Sequence, residues 1–485
     1  MNFARDIVDA APPEMRALVE IARGGGRREW TFGEVADASA RLAGTLTQRG
    51  VRRGDIVMTL IGNRPEWVLT MVACFRIGAV VLPCNEQLRA KDLQLRIEAA
   101  KPRVIVADER NMTELSTAVT TAQARMSLIL TGDDWDEAVA AQPVPAVDLK
   151  PTDPCLITFT SGTTGEAKGI VHGQRYLPGQ RLQATNWLGA RPNDLVWCTA
   201  ASGWSKSARN VFIAPWLNQA AALLHDARFD PQERLQLLAS EHVNVLCMAP
   251  TEYRVIAKRA QPRPVPSLHG LVAAGEALNP EVLRAFHEAT GLHIRDGYGQ
   301  TETGQLTGTT PGESPRPGSM GRPLPGVELR IDDGELVLED PRTDPTFFVG
   351  YLNGSPAPED TPWRTGYRVH CDEDGYLYFE GRADDVIISA GYRIGPFEVE
   401  SALVSHTAVA EAAVVAAPDD ERGSVVRAVV VLRDGHAPTD ELKTELQDHV
   451  KRETAPYKYP RIVEFAAELP KTASGKVQRA LLRRR

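Results

Sequence analysis

Short unbroken apolar runs alternate along the chain with longer, partly polar ones, and run length decides which element each predicts. IVMTLI (56–61), flanked by Asp55 and Gly62, reads as a buried strand; residues 66–76, nearly all apolar, read as a helix; AVVLP (79–83) reads as a second strand. Two strands joined through a helix imply parallel pairing in a sheet covered by helices. The pattern returns downstream, with a strand at 243–249 before a helix at 252–259, and a strand at 269–275 before a helix from Pro280 to Gly291. That last helix has proline at its start, apolar side chains at 282, 283, 286 and 289, and glycine just past its end. These elements predict a large N-terminal α/β domain with parallel sheets and helices. Past residue 384 the order changes to a helix (396–406), strands at 409–417 and 424–434, a helix (440–453) and a strand (461–466), which predict a small α+β module. The junction GRADD (381–385) is polar and small, as a hinge at Asp384 would be. The expected organisation is a large domain, 1–383, and a small mobile C-terminal lid, 384–485.

Composition narrows the class. At 485 residues, 43% hydrophobic and 24% charged, the chain is too long for one core and unlike a disordered or fibrous protein. A net charge of -8 gives no global attraction to nucleic acid or to an anionic membrane. The basic end (Arg479, Arg483, Arg484, Arg485) reads as a solvated tail. Cys74, Cys84, Cys155, Cys198, Cys247 and Cys371 are far apart, without a CxxC pair, and read as buried free thiols in a reducing compartment. The opening residues lack the apolar stretch of a secretion signal. The most apolar run, 68–84, is broken by Arg76, Gly78 and Pro83 and is too short to span a bilayer. A cytoplasmic enzyme is expected.

Three segments carry candidate chemistry. FTSGTTGEAKG (159–169) follows a predicted strand at 155–160 and combines glycines, hydroxyls and a lysine. Glycines let backbone N–H groups converge on an anion, and lysine supplies a point charge for phosphate. The spacing is not that of a Walker A loop, and the residues after Lys168 do not begin a helix. DGYGQTET (296–303) offers an aromatic face at Tyr298 for a purine and a carboxylate at Glu302 for a magnesium ion on phosphates. PKTASGKVQR (470–479) presents Lys476 on a polar loop, a position that alone would suit solvent. A dinucleotide-binding G-x-G-x-x-G with an acid about twenty residues on is absent from the sequence.

Taken together and in this order, these segments resemble the superfamily of acyl- and aryl-CoA synthetases, luciferases and peptide-synthetase adenylation domains, with the medium-chain acyl-CoA synthetases most similar. The likeness runs over the whole chain and is carried also by AGEAL (274–278), GYGQTETG (297–304), GRADD (381–385), SAGYRIGPFEVESAL (389–403) and APYKYPR (455–461). It implies a two-step reaction in which a carboxylate attacks the α-phosphate of ATP and CoA then displaces AMP, the small domain rotating between steps. By resemblance, Thr160, Ser161, Gly162, Thr163, Thr164, Gly165 and Lys168 would hold the β,γ-phosphates. The adenine would lie by Gly275, Glu276 and the segment Asp296, Gly297, Tyr298, Gly299 and Gln300; Thr301 would meet the α-phosphate and Glu302 the magnesium ion. Arg382 would reach the ribose and Arg393 the phosphates, while Lys476 would bridge the acid and the α-phosphate. Ala390, Gly391 and Tyr392 would line the pantetheine path, with Gly391 keeping it open, and Arg422, Lys451, Tyr459 and Arg461 would meet the CoA nucleotide. Each CoA assignment has a solvated surface side chain as its plain alternative. The acyl pocket candidates Trp204, Val211, Met248 and Ala274 are apolar and imply a hydrophobic monocarboxylic acid, though they also suit an ordinary core.

One departure stands out. Where the family carries Arg/Lys-Thr-Gly-Asp, with the aspartate accepting both ribose hydroxyls, this chain has Arg364-Thr365-Gly366-Tyr367. Hydrogen bonds to a charged partner contribute roughly 1.5–3 kcal/mol each. Ala167 replaces a proline, and Ala201-Ser202 an Asp-Thr. The CoA-side segments are complete. The expectation is an acyl-CoA ligase favouring acyl-AMP plus CoA, its own adenylation in doubt, with a separate adenylating enzyme as a conceivable source of the adenylate. The alternatives are an adenylation enzyme loading a carrier protein and a non-catalytic acyl- or nucleotide-binding homologue.

Overall fold

The computed structural model describes the whole chain apart from residues 124–125, 162–166, 276–277, 279, 383–384, 390–391, 420–421, 472–476 and 484–485, and apart from the side chains at 161, 167, 280 and 393. The parallel strands divide between two sheets. One has nine strands, with 16–21, 221–225, 195–198, 245–248, 270–274 and 294–300 parallel in that order and antiparallel strands at both edges. The other has seven, with 127–130, 104–107, 56–60, 80–84 and 154–161 parallel, followed by the antiparallel Ala167–Gly173 and Gly350–Tyr351.

Helix Pro65–Ile77 shows why its sequence is nearly all apolar: every residue but Glu66 is buried. Pro65 opens it without losing a needed N–H, and Gly78 closes it in the left-handed region at φ 72°. Its buried Arg76 is tolerated because both guanidinium ends meet Asp9, at 2.9 and 2.5 Å. Helix Phe32–Gln48 beside it starts on a capping box, Thr31 Oγ1 accepting from the Glu34 N–H and Glu34 accepting from the Thr31 N–H.

An antiparallel four-stranded sheet, 329–332, 335–338, 363–371 and 377–382, leads to the C-terminal part. There a hairpin (Ile387–Ser389, Tyr392–Ile394), helix Pro396–Ser405, strands Val409–Asp419, Gly423–Leu432 and Ile462–Phe465, and helix Asp440–Glu453 enclose their own core around Ile387, Val399, Leu403, Val414 and Leu446. The fold is therefore a large α/β domain followed by a smaller α+β domain. The two meet closely at Gly395, where an added Cβ would lie 2.0 Å from the Glu380 carbonyl oxygen, and at Phe397, whose ring is 6.2 Å from that of Phe379.

Two expectations change. Two arginines of the basic end are not part of a solvated tail: Arg479 binds both carboxylate oxygens of Glu400, at 2.8 and 2.7 Å, and Arg483 pairs with Asp385, while Arg484 and Arg485 lie outside the described residues. Five cysteines are buried free thiols, but Cys371 is exposed at the end of its strand. No helix among the described residues is long and apolar enough to cross a membrane.

Candidate active site

The strand read from 155–160 is Pro154–Ser161, and it pairs with the antiparallel strand Ala167–Gly173, Thr160 opposite Lys168. The hairpin carries Lys168 on its exposed side, Nζ 5.8 Å from the Tyr351 ring. Opposite lies the turn at 301–303, between strands Ile294–Gln300 and Gly304–Gly308. The Glu302 backbone carbonyl accepts from the Phe348 N–H at 2.8 Å. Burial pushes the Glu302 carboxyl up, and Lys168 opposes that shift. The same carboxylate and burial raise the Tyr351 phenol to about 12, burial first. Thr160, Lys168, Thr301 and Glu302 thus belong to adjoining elements.

The segment 296–300 forms the strand beside this turn. Asp296 is buried, accepts from the Gly297 N–H at 2.8 Å, and is pushed by burial up to about 7. Gly297 and Gly299 lack side chains for a packing reason: an added Cβ would lie 2.3 Å from Gln305 Nε2 and 1.8 Å from the Gly304 carbonyl oxygen respectively. The Gln300 side chain is engaged within the protein, accepting from Trp363 Nε1 at 2.9 Å and donating to the Thr365 carbonyl at 2.7 Å. Those bonds bring strand Trp363–Cys371 against the site. Tyr367, on that strand, pairs in register with Arg382, and its ring is 5.0 Å from Tyr298 and 5.4 Å from Phe379. Tyr298, expected to offer its face to a purine, is itself buried against Tyr367.

Two family models match the chain, one described as AMP-binding enzyme over residues 6–342 and one as AMP-binding enzyme C-terminal domain over 398–476. The chain belongs to the AMP-binding enzyme family. It is 38% identical to the mouse acyl-coenzyme A synthetase ACSM4, mitochondrial, over 99% of this chain and 90% of the relative. It is also 38% identical to the Bacillus subtilis protein YtcI, described as an uncharacterized acyl–CoA ligase, over 98% and 94%. Among solved structures, a Brucella canis acyl-CoA synthetase matches at 33% identity and TM-score 0.76, covering 100% of this chain and 94% of the other. The anthranilate CoA ligase AuaEII in complex with anthranoyl-AMP matches at 28% and 0.88, covering 100% and 97%. These likenesses place this AMP-binding enzyme with the acyl-CoA synthetases and ligases, near the medium-chain group.

Not every candidate residue of this AMP-binding enzyme falls where the sequence reading put it. Met248 does not share a face with the other acyl candidates. Strand Val245–Met248 alternates, sending Leu246 and Met248 to the core with Trp197 and Tyr253, while Val245 and Cys247 face the core that holds Val211 and Ala274. Trp204 is half-buried against that second core. On the small domain, Lys451 and Arg461 flank the Tyr459 ring at 4.5 and 4.8 Å, and Tyr392 stacks on Tyr457 at 4.3 Å, both exposed. Arg422 sits at the turn between the two long strands, its backbone N–H on Asp419. Gly162, Thr163, Thr164, Gly165, Glu276, Asp384, Ala390, Gly391 and Lys476 lie outside the described residues, as do the side chains of Ser161 and Arg393.

Sequence reasoning missed Lys206, whose Nζ donates to the Ala274 carbonyl at 2.7 Å beside Gly275. A lysine two residues after Trp204 was the available signal. Among the described residues, a magnesium ion fits this donor set through one carboxylate. Among the described residues no group of three His, Cys, Asp or Glu could hold a metal, whereas a single half-buried carboxylate, Glu302, suits an ion held mainly by substrate phosphates.

Proposed function

We propose that this enzyme makes an acyl-CoA thioester from a largely hydrophobic carboxylic acid through acyl-AMP, and is specialised for the second step, acyl-AMP plus CoA to acyl-CoA plus AMP. The observation that carries the specialisation is Tyr367: a neutral phenol, packed between Tyr298 and Phe379, stands where a carboxylate would accept the ribose hydroxyls. In the first step the acid's oxygen bonds to the α-phosphorus and pyrophosphate leaves; Lys168 faces the phosphates, Thr301 the α-phosphate, and Lys476 bridges the two anions. Glu302 would hold the magnesium ion, which when bound offsets charge on the phosphates. In the second step the CoA sulfur bonds to the acyl carbon, the carbon–oxygen bond to phosphate breaks, and AMP leaves with the electron pair. An acyl adenylate is one molecule anchored at both ends, so a weakened ribose contact hurts its binding less than that of separate ATP and acid. Rotation of residues 384–485 about Asp384 would bring Tyr392, Lys451, Tyr459 and Arg461 to the CoA path, where cations and aromatic rings suit a phosphorylated adenosine.

The test gives the full chain ATP, magnesium and a panel of acids, measuring pyrophosphate exchange, and separately gives it acyl-AMP and CoA. Thioester from acyl-AMP with weak exchange is expected, and robust exchange with any acid would sink the specialisation. Tyr367→Asp is expected to raise exchange about tenfold or more, the equivalent of one restored charged hydrogen bond. No rise would acquit Tyr367.

A further inference from the structure

A cation, Lys206, stands beside the acyl-pocket candidate Ala274. Lys206 is half-buried after strand Leu195–Cys198, and its Nζ donates to Ala274, the last residue of strand Gly270–Ala274. Gly275 follows at φ +105°, and a Cβ built there would lie 3.3 Å from the ammonium and meet no other described residue within 4 Å. The ammonium therefore borders a space at Gly275 that no other described residue fills. That space lies at the carboxyl ends of strands Leu195–Cys198, Val245–Met248 and Gly270–Ala274, the edge at which parallel sheets bind ligands.

An ammonium has three N–H donors and no acceptor. Ala274 takes one, and no carboxylate among the described residues lies within ion-pair distance of Lys206. Asp296 feels its charge, but that carboxyl is held up by burial and already takes the Gly297 N–H. The buried thiols of Cys198 and Cys247 feel the charge as well. Two donors thus have no partner among the described residues and remain for water or for the acyl group.

We infer that Lys206 is a specificity-determining residue, selecting acids whose otherwise apolar acyl chain carries a second oxygen acceptor (oxo, hydroxyl or carboxylate) a few atoms from the reacting carbon. The inference rests on the thioester-forming reading above and narrows its substrate class. A plain alkyl chain entering beside Gly275 displaces water from the ammonium and leaves N–H groups without acceptors, whereas an oxygen on the chain replaces that water. A site built to hydrogen-bond its substrate rejects the analogue lacking the partner far more strongly than it rejects a missing methylene.

The experiment compares hexanoyl-AMP, 5-oxohexanoyl-AMP and glutaryl-AMP with CoA on the full chain, reading kcat/KM from thiol consumption. In parallel, calorimetry measures affinity for the matching hydrolysis-resistant acyl-sulfamoyl adenosines. An oxygen-bearing chain is expected to lead hexanoyl by about tenfold or more, and Lys206→Met to collapse that ratio while Lys206→Arg keeps part of it. No preference in the parent protein, or a Lys206→Met that lowers all three substrates equally as loss of a mere strut for Ala274 would, overturns the inference. If none of the adenylates yields thioester, the thioester reading fails, and the ratio of sulfamoyl adenosine affinities still decides the role of Lys206.

Discussion

Around Thr301 and Glu302 the large domain holds its polar groups in fixed company: Gln300 on Trp363 and Thr365, Asp296 on Gly297, Tyr298 on Tyr367. On the small domain the candidate groups face outward, with Tyr392 51% and Tyr457 39% exposed and Tyr459 between Lys451 and Arg461. The first region has carboxyls whose titration is moved by burial; in the second, the aromatic and cationic faces are ordered by one another, with Lys451 also paired to Asp448. Burial prepares charged groups for phosphate chemistry before a substrate arrives. An exposed cation–aromatic surface acquires its full strength only when something closes over it and excludes water.

That contrast can be broken from either side. Glu302→Gln is expected to lower pyrophosphate exchange about 100-fold or more, the scale of removing one preorganised electrostatic contact. Thioester formation from acyl-AMP should fall far less; equal losses in the two assays would mean that the two regions do not serve separate steps. A smaller effect is expected from Tyr459→Ala, which should raise the KM for CoA about tenfold with little change in exchange, the size of a lost cation–aromatic contact closed from solvent. An unchanged KM would remove the ring from the CoA path. The smallest concerns Asp296. Its folded carboxyl is raised from 3.8 to about 7, so between those values the folded state holds a proton that the unfolded chain has released. The stability this gives is full below the lower value and is lost as pH rises through the upper one. Asp296→Asn, which has no such proton, should therefore gain in Tm relative to the parent protein between pH 5 and pH 8, by about 1–2 °C per kcal/mol of shift for a chain of this size. A difference that does not vary with pH would refute the buried titration.

The chain itself settled much of the architecture. Apolar runs with proline before them and glycine after them marked helices Pro65–Ile77 and Pro280–Thr290, because run length and backbone freedom are local properties. The hairpin 154–173 and the 296–302 segment were legible as candidate chemistry for the same reason, since their residues are neighbours along the chain. Contacts between distant segments were not legible. The sequence could not say that Met248 turns away from Val211 and Ala274, because a strand's facing is fixed by what packs on each side of the sheet. Nor could it say that Arg479 is tied to Glu400, that Gln300 is held by Trp363, or that Lys206 reaches Ala274 across 68 positions. Local pattern sets which elements form; where a side chain finds its partner depends on packing, and only the folded chain brings those partners within hydrogen-bond range.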